Sequence, residues 1–177
     1  AHAYDFVNAN ALSDALSNDG AEVVSSGGAR YRAIYLGGTS RKMTLPTLQR
    51  LAALVEGGAT LIGKAPEGNP SLAGDAAAFQ ALVSKLWPGG ADASVGKGRV
   101  IASADINAAL ASSGVAPDFR TTGGSAGADI PFVHRKLSDG DSYFLVNSNE
   151  RDETIEARFR VTGKTPELWH AETGQRE

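Results

Sequence analysis

Apolar residues in the first two-thirds of the chain alternate between short strand-like runs and helical patterns. The run YRAIYLGG, residues 31–38, is typical of a buried strand that ends in a glycine turn. Thr44 then stands where a helix N-cap is expected, and Pro46 falls in the first turn. The next apolar residues share one helical face: Leu48, Leu51, Ala52 and Val55. This stretch therefore predicts a strand followed by an amphipathic helix.

The same order repeats downstream. Gly57 and Gly58 end the first helix, and ATLIG, residues 59–63, predicts the next strand. Asp75 is placed to cap a second helix, and Pro88-Gly89-Gly90 stops it. The apolar face of that helix contains Phe79, Leu82, Val83 and Leu86. GRVIAS, residues 98–103, predicts a further strand, and residues 105–113 a short third helix. Strands alternating with helices indicate a parallel sheet covered by helices.

The first thirty residues give weaker patterns. YDFVN, residues 4–8, is compatible with a strand, and residues 9–16 are weakly helical. AEVVSS, residues 21–26, predicts a short edge strand.

The period of the pattern changes to two near Thr121. TTGGSAGAD, residues 121–129, has the composition of a linker. In TIEARFRV, residues 154–161, apolar and polar residues alternate, which predicts a strand with one buried face. PFVHRKL and SYFLVN flank Asp139-Gly140, a strong hairpin signal. We therefore predict an α/β domain over residues 1–120, a linker over 121–129, and an antiparallel β meander over 130–177.

Composition supports a packed domain and gives no sign of a charged partner. Of the 177 residues, 42% are hydrophobic, and the formal net charge is −3, so no basic field for nucleic acid or a membrane surface is expected. No apolar run has the length of a membrane span. There is no cysteine, which excludes disulfides and thiolate metal sites. The chain begins at Ala1 without a methionine, so we expect it to be a piece of a longer protein.

Three glycine-rich stretches only approximate known site motifs. GATLIGKA, residues 58–65, nearly matches a phosphate loop, but its central residues form the predicted strand and Ala65 replaces the hydroxyl residue. GGSAG, residues 123–127, matches a nucleophile elbow, but a polar linker precedes Ser125. GKGRV, residues 96–100, could hold an anion, although a turn that enters a strand is the simpler interpretation. None of the three predicts an active site.

Acidic and aromatic candidates have simple structural explanations as well. Asp139 and Asp141 flank the hairpin glycine, where exposed turn residues are expected. Glu150, Asp152 and Glu153 belong to the next loop, and no acid has an apolar setting suited to glycoside chemistry. Trp87 and Trp169 could stack on sugars, but packing roles are more common at the ends of elements. From the residues alone, the sequence predicts no self-contained active site.

His134 is the one histidine in the interior of the chain. It shares a strand face with Phe132 and Lys136, whereas Arg135 points to the other face. The three histidines of the chain do not have the spacing of metal ligands, so no metal is expected. A lone strand histidine is more often a hydrogen-bonded packing residue than a catalytic one. We expect His134 and Arg135 to fix a seam between the α/β domain and the β sheet.

An ordered set of segments resembles a known family. The segments are YDFVNANAL, MTLPTLQRLAALVEGGATLIG, PSLAG, GKGRVI, GVAPDF, IPFVHRKLSDGDSYFLVN and FRVTGKTPELWHAETG. In this order they resemble the C-terminal region of α-L-rhamnosidase-type glycoside hydrolases, glycoside hydrolase family 106. The likeness extends over nearly the whole chain.

This resemblance implies an accessory role in a large, modular hydrolase, secreted or periplasmic, that acts on polysaccharides. The catalytic acids would lie in an upstream barrel. The α/β part would be similar to a flavodoxin-like, glutamine-amidotransferase-like domain, and the β part would begin a β-sandwich. Amidotransferase chemistry itself is excluded, because it needs a cysteine nucleophile. The family pattern places a strand and a helix before YDFVN, and a sheet without that strand would expose an edge. Either another chain covers this edge, for example by self-association, or the domain boundary differs from the one predicted.

The alternative is a binding module for a saccharide or an anion. Ligands of open α/β sheets bind at the carboxyl ends of the strands. The candidate ligand-binding residues are Gly37, Gly38, Thr39 and Lys64 in the loops at these strand ends, together with His134 and Arg135 of the hairpin. We expect the other domains of the parent hydrolase as partners, a saccharide or self-association as further possibilities, and neither nucleic acid nor membrane. No cofactor and no catalytic residue is assigned.

Overall fold

The computed structural model describes residues 2–38, 41–72 and 74–177, and it divides into two compact units. One unit is Phe6–Val115, and the other combines Ala1–Asp5 with Ala116–Glu177. Among the described residues, no helix has the length and apolar character needed to span a bilayer.

The unit Phe6–Val115 is a mixed α/β structure. Its helices are α1 (Ala9–Asp14), α2 (Leu45–Gly57), α3 (Ala76–Leu86) and α4 (Ile106–Ser112), with a 3₁₀ turn at Pro88–Gly90. Its strands are β1 (Leu16–Asp19), β2 (Glu22–Ser25), β3 (Arg30–Tyr31), β4 (Ile34–Tyr35), β5 (Thr60–Ile62), β6 (Ala93–Val95) and β7 (Gly98–Ile101). The three predicted helices are confirmed, and the strands expected over residues 59–63 and 98–103 are confirmed as the shorter β5 and β7. The strand expected over residues 31–38 is divided, because Tyr31 ends β3 in another sheet and only Ile34–Tyr35 form β4.

A four-stranded sheet of order β4-β5-β7-β6 forms the centre of this unit. Strands β4, β5 and β7 are parallel, with Ile34 opposite Leu61 and Leu61 opposite Val100. The predicted parallel sheet is therefore confirmed. Strand β6 was not predicted; it joins β7 through the two-residue turn Gly96-Lys97 and adds an antiparallel edge.

Aspartate side chains cap two of the helices that follow the strands, and of these caps only Asp75 was predicted. The Asp75 carboxylate accepts a hydrogen bond from the amide of Ala78 at 2.9 Å, and Asp105 accepts one from Ala108 at 3.0 Å. Such bonds satisfy amides that have no partner within the helix. Thr44 occupies the N-cap position of α2, but its hydroxyl pairs with the Thr47 hydroxyl at 2.9 Å instead of an amide.

Helix α2 supplies more buried residues to the core than any other element, because its apolar face lies against the sheet. Fully buried side chains include Leu48, Leu51, Leu54, Val55, Leu61, Leu86, Trp87 and Val100. The indole of Trp87 donates to the Gly63 carbonyl at 2.8 Å. This residue is 2% exposed, which confirms a packing role and excludes a sugar platform.

The first thirty residues form a helix and a small antiparallel sheet. The weak helical pattern is confirmed by α1, but YDFVN forms no strand in the described structure. Strands β1, β2 and β3 pair in that order, so AEVVSS supplies a central strand rather than the predicted edge. The reason is the turn Asp19-Gly20, which folds β1 back onto β2.

The second unit contains β8 (Phe119–Gly123), β9 (Phe132–Lys136), β10 (Asp141–Leu145) and β11 (Ile155–Phe159). The predicted hairpin is confirmed, since β9 and β10 pair antiparallel on either side of Asp139-Gly140. Strand β11 pairs with β8 instead of β10, so the continuous meander is wrong. The last three residues of β8 come from the segment expected to be a linker. Thr121 and Thr122 favour strands, and here they have a partner strand.

Candidate functional site

Asp118 lies at the centre of a polar cluster in the second unit. The residue is only 5% exposed. Its carboxylate contacts His134 Nδ1 at 2.6 Å, the Tyr143 hydroxyl at 3.1 Å and Arg160 Nη2 at 3.0 Å. Its backbone carbonyl also accepts the Arg160 amide at 2.9 Å. A buried carboxylate is tolerated when it has this many donors.

His134 is held between two carboxylates. Its Nδ1 atom contacts Asp118 and its Nε2 atom contacts Asp141 at 2.7 Å. Each ring nitrogen donates or accepts according to where the ring carries its protons. The geometry places one imidazole between two carboxylates, and Arg160 is a further cationic partner of Asp118.

The hairpin register places Tyr143 beside His134. The two residues are directly opposite in the β9–β10 ladder, and their rings stack with centroids 4.1 Å apart at 6°. Burial, reinforced by the Asp118 carboxylate, raises the pKa of Tyr143 to about 12. The phenol therefore stays protonated at neutral pH and acts as a hydrogen-bond donor to Asp118.

Aromatic packing connects the two strand pairs around this cluster. Phe119 of β8 lies 5.1 Å from Phe132 of β9 and 5.4 Å from Phe159 of β11, measured between ring centroids. Tyr143 of β10 lies 4.7 Å from Phe159. The polar cluster is thus embedded in ring contacts that join β8 and β11 to β9 and β10.

The His134 ring separates the two carboxylates of the cluster, because Asp118 and Asp141 contact different ring nitrogens. Within residues 2–38, 41–72 and 74–177, no group of three or more His, Asp and Glu side chains could hold a metal ion. Two surface concavities, of about 240 and 300 Å³, are lined by other residues.

Two acids differ from the sequence prediction. Asp141 was expected to be an exposed turn residue, but its side chain is 20% exposed because it faces His134. Glu153 was expected in a solvated loop, but its side chain is only 2% exposed. Its carboxylate accepts from the Ser125 amide at 2.7 Å and pairs with Arg151 at 2.7 Å. The Ser125 amide is the main reason that the pKa of Glu153 is lowered.

This contact also explains the GGSAG stretch. Strand β8 ends at Gly123, and the residues after Ser125 form a turn and an extended segment that leads to β9. A nucleophile elbow needs a helix after the serine. The Ser125 amide is used to fix the turn to Glu153. The phosphate-loop alternative is also excluded, because β5 occupies the middle of residues 58–65.

Three of the predicted ligand-binding residues lie at the carboxyl edge of the parallel sheet. Gly37 and Gly38 follow β4, and Lys64 follows the neighbouring strand β5. Lys64 and Gly38 are exposed. The Tyr35 ring lies over Gly37, and its hydroxyl donates to the Ala104 carbonyl at 3.1 Å. Thr39 lies outside the described residues.

His134 and Arg135 belong to the other compact unit. His134 is largely buried in the cluster described above, whereas Arg135 is exposed on the opposite face of β9. Asp118 was assigned to the α/β domain from the sequence, yet it falls in the same unit as His134. The expected seam between domains stays a prediction.

The sequence did not indicate Asp118, Tyr143 or Arg160 as members of one site. Asp118 follows Pro117 in a segment without periodicity, so nothing local signals its burial. Arg160 is far away in sequence and reaches Asp118 only because β11 pairs with β8. Alternation along the two hairpin strands was the available signal, because it would have placed Tyr143 on the same face as His134.

Comparison with known proteins identifies the family. The family model described as alpha-L-rhamnosidase, glycoside hydrolase 106, matches residues 1–177. This chain belongs to glycoside hydrolase family 106. The structure of a rhamnosidase from Novosphingobium sp. PP1Y is similar over 99% of this chain, with 57% sequence identity and a TM-score of 0.92. The suspected resemblance is therefore confirmed.

A second relative carries a different name. A protein of Formosa agariphila named "Putative beta-glucuronidase" is 33% identical over 174 residues, which is 97% of this chain. The chain spans 14% of that relative and 17% of the Novosphingobium chain. This family 106 sequence thus corresponds to a small part of much longer polypeptides. The two relatives are named for different sugars, so the names do not agree on a substrate.

Proposed function

We propose that this chain is a non-catalytic accessory domain of an α-L-rhamnosidase-like glycoside hydrolase that acts on polysaccharides. The observation that carries the proposal is a difference in coverage. The family 106 model matches the whole of this chain, yet the chain spans only 17% of a solved rhamnosidase. In this proposal the catalytic acids belong to the remainder of the parent polypeptide, in an upstream barrel.

The contacts of the buried acids support this role. A glycosidase needs two carboxyl groups that face one sugar ring, about 5–10 Å apart, with one of them able to carry a proton. Asp118 and Asp141 instead each hold one side of the His134 ring, and Glu153 fixes the Ser125 turn. These three carboxylates stabilise strands and turns of the second unit.

The finer fold assignment is part of the same proposal. The parallel strands β4, β5 and β7, with helices following β4, β5 and β7, support a flavodoxin-like or amidotransferase-like accessory domain. The ring contacts between the β8–β11 and β9–β10 pairs support the start of a β-sandwich. Both parts would buttress the catalytic barrel of the parent.

The proposal is tested by assaying the 177-residue chain and the full parent polypeptide on an aryl α-L-rhamnoside. We expect hydrolysis by the parent and no turnover above buffer for the chain alone, because its acids serve structure. A circular dichroism spectrum must show that the isolated chain is folded. Turnover by the folded chain would place the chemistry here and reject the proposal.

The alternative is a saccharide or anion site at the carboxyl edge of the parallel sheet. It is favoured by one observation: Gly38 and Lys64 are exposed after adjacent parallel strands, with Thr39 next in sequence. Titration calorimetry with L-rhamnose and with inorganic phosphate addresses it. Heat that disappears in Lys64→Ala would support the site, and the absence of heat with both probes would reject it.

A further inference from the structure

One face of the β9–β10 hairpin is apolar and exposed. Residues at alternate positions point away from the His134 cluster, and four of them are large and apolar: Val133, Leu137, Phe144 and Val146. Their exposed fractions are 55%, 52%, 55% and 42%. We call these four residues the outer hairpin face. Val133 and Phe144 are direct cross-strand neighbours, so the face is contiguous.

The opposite face of the same hairpin packs against other residues of its own unit. His134 and Tyr143 are held by Asp118 and by ring contacts with neighbouring strands of the unit. A two-stranded hairpin is marginal in water and needs a packed surface. A sheet that packs on one face and meets solvent on the other carries polar residues on its outer side, whereas the outer side of this hairpin carries four large apolar residues. The outer hairpin face therefore has the composition of a covered surface.

Arg135 adds a polar requirement to this face. It lies between Val133 and Leu137 on the outer side of β9 and is exposed. Among the described residues, no side chain or backbone group forms a hydrogen bond or an ion pair with the Arg135 guanidinium. A partner surface that covers the apolar side chains would have to solvate or pair this guanidinium, and a carboxylate does so with two parallel hydrogen bonds.

We propose that the outer hairpin face docks against another segment of the same parent polypeptide, an apolar surface with a carboxylate opposite Arg135. The length of polypeptide outside this chain argues for this occupant. The equivalent region makes up 17% of the Novosphingobium rhamnosidase chain and 14% of the Formosa relative. Most of each relative is thus available to cover the face in cis. This inference rests on the proposed accessory role and names the surface that it uses.

Cysteine labelling in the full parent polypeptide tests the docking, because the present chain contributes no cysteine of its own. The variants are Val133→Cys and Phe144→Cys, with Leu72→Cys as the control. Leu72 is a fully exposed apolar residue, at 106%, in the other compact unit. For each variant, the rate of maleimide labelling of the peptide that carries the new thiol is measured by mass spectrometry, in native and in denatured parent.

We expect Val133→Cys and Phe144→Cys to be labelled at least tenfold more slowly in the native parent than in the denatured parent. Leu72→Cys should differ by less than about threefold. Equal protection factors at all three positions would overturn the proposal. Protection that disappears when the parent is diluted would indicate a second copy and would also overturn it.

A complementary measurement tests whether Arg135 contributes to the docking. Arg135→Glu in the parent should raise the labelling rate of Val133→Cys at least threefold, because the new carboxylate repels the partner carboxylate. Arg135→Lys keeps the positive charge but loses the two parallel hydrogen bonds, so it should raise the rate by less than Arg135→Glu does. Neither labelling result depends on where the catalytic acids lie. Failure of the docking proposal can therefore be distinguished from failure of the accessory role, which the activity assay tests.

Discussion

At the scale of single residues, Asp118 is the shared hydrogen-bond acceptor of three neighbouring side chains. It accepts from His134, Tyr143 and Arg160 while almost fully buried. Hydrogen bonds to a charged acceptor contribute about 1.5–3 kcal/mol each. The same carboxylate, together with burial, explains why the Tyr143 phenol resists ionisation.

Tyr143 gives a pH dependence whose sign follows from its pKa. The folded-state pKa is about 12, above the ordinary value of 10.0. Below pH 10 the phenol is protonated in both states and its contribution to stability is fully present. Between pH 10 and 12 the unfolded chain loses the proton first, so the free energy of unfolding falls as the pH rises through this range.

Urea unfolding of wild type and Tyr143→Phe at pH 9 and pH 11.5, followed by circular dichroism, measures this contribution. The phenylalanine ring keeps the stacking on His134 but has no proton to lose. We expect the free energy of unfolding to fall more steeply for wild type than for the variant between the two pH values. Equal losses in both proteins would contradict the assigned pKa shift.

At the scale of elements, sequence reasoning succeeded where local signals are strong. Helices α2 and α3 combine a clear apolar face with a proline or an aspartate at the start, so their positions were predictable. The hairpin around Asp139-Gly140 was also predictable, because Asp-Gly between two strand patterns is a strong turn signal. The Asp19-Gly20 turn between β1 and β2 carries a similar signal that the sequence interpretation overlooked.

Strand pairing over long distances was not predictable. Strand β11 pairs with β8, which precedes it by more than thirty residues, and this pairing brings Arg160 to Asp118. Alternation identified β11 but cannot choose its partner, because any strand with an apolar face would fit. The candidate site was therefore predicted only as far as His134, and its acidic partner Asp118 was missed.

Close backbone packing at the start of β7 yields a prediction at this scale. A Cβ atom on Gly98 would lie 2.2 Å from the Val55 carbonyl oxygen and 2.3 Å from that of Ala59. We expect Gly98→Ala to lower the free energy of unfolding by about 2–3 kcal/mol, because α2 and β7 must move apart. Urea unfolding followed by circular dichroism measures the loss.

Gly68→Ala is the matched control for this substitution. A Cβ atom there meets nothing within 4 Å, and Gly68 does not have a positive φ. Its effect should stay within about 0.5 kcal/mol. Similar losses for both variants would show that glycine replacement destabilises the unit for reasons other than the contact of β7 with α2.

At the scale of the whole molecule, the question is whether the buried cluster serves stability or turnover. Family 106 membership covers the entire chain, so an acid–histidine pair in it invites a catalytic interpretation. The geometry instead gives Asp118 three donors from side chains of its own unit. Asp118→Asn in the full parent polypeptide distinguishes the two roles, because it keeps the side-chain shape and removes the charge.

We expect Asp118→Asn to lower the melting temperature of the parent by several degrees, since the amide has one oxygen acceptor where the carboxylate has two. The kcat/KM on an aryl rhamnoside, corrected for the folded fraction below that melting temperature, should stay within twofold of wild type. Loss of a general acid or base would cost about 100-fold or more. Asp139→Asn, at the exposed hairpin turn, should change neither quantity. A large loss of kcat/KM with an unchanged melting temperature would assign Asp118 to catalysis and remove the structural interpretation of the cluster.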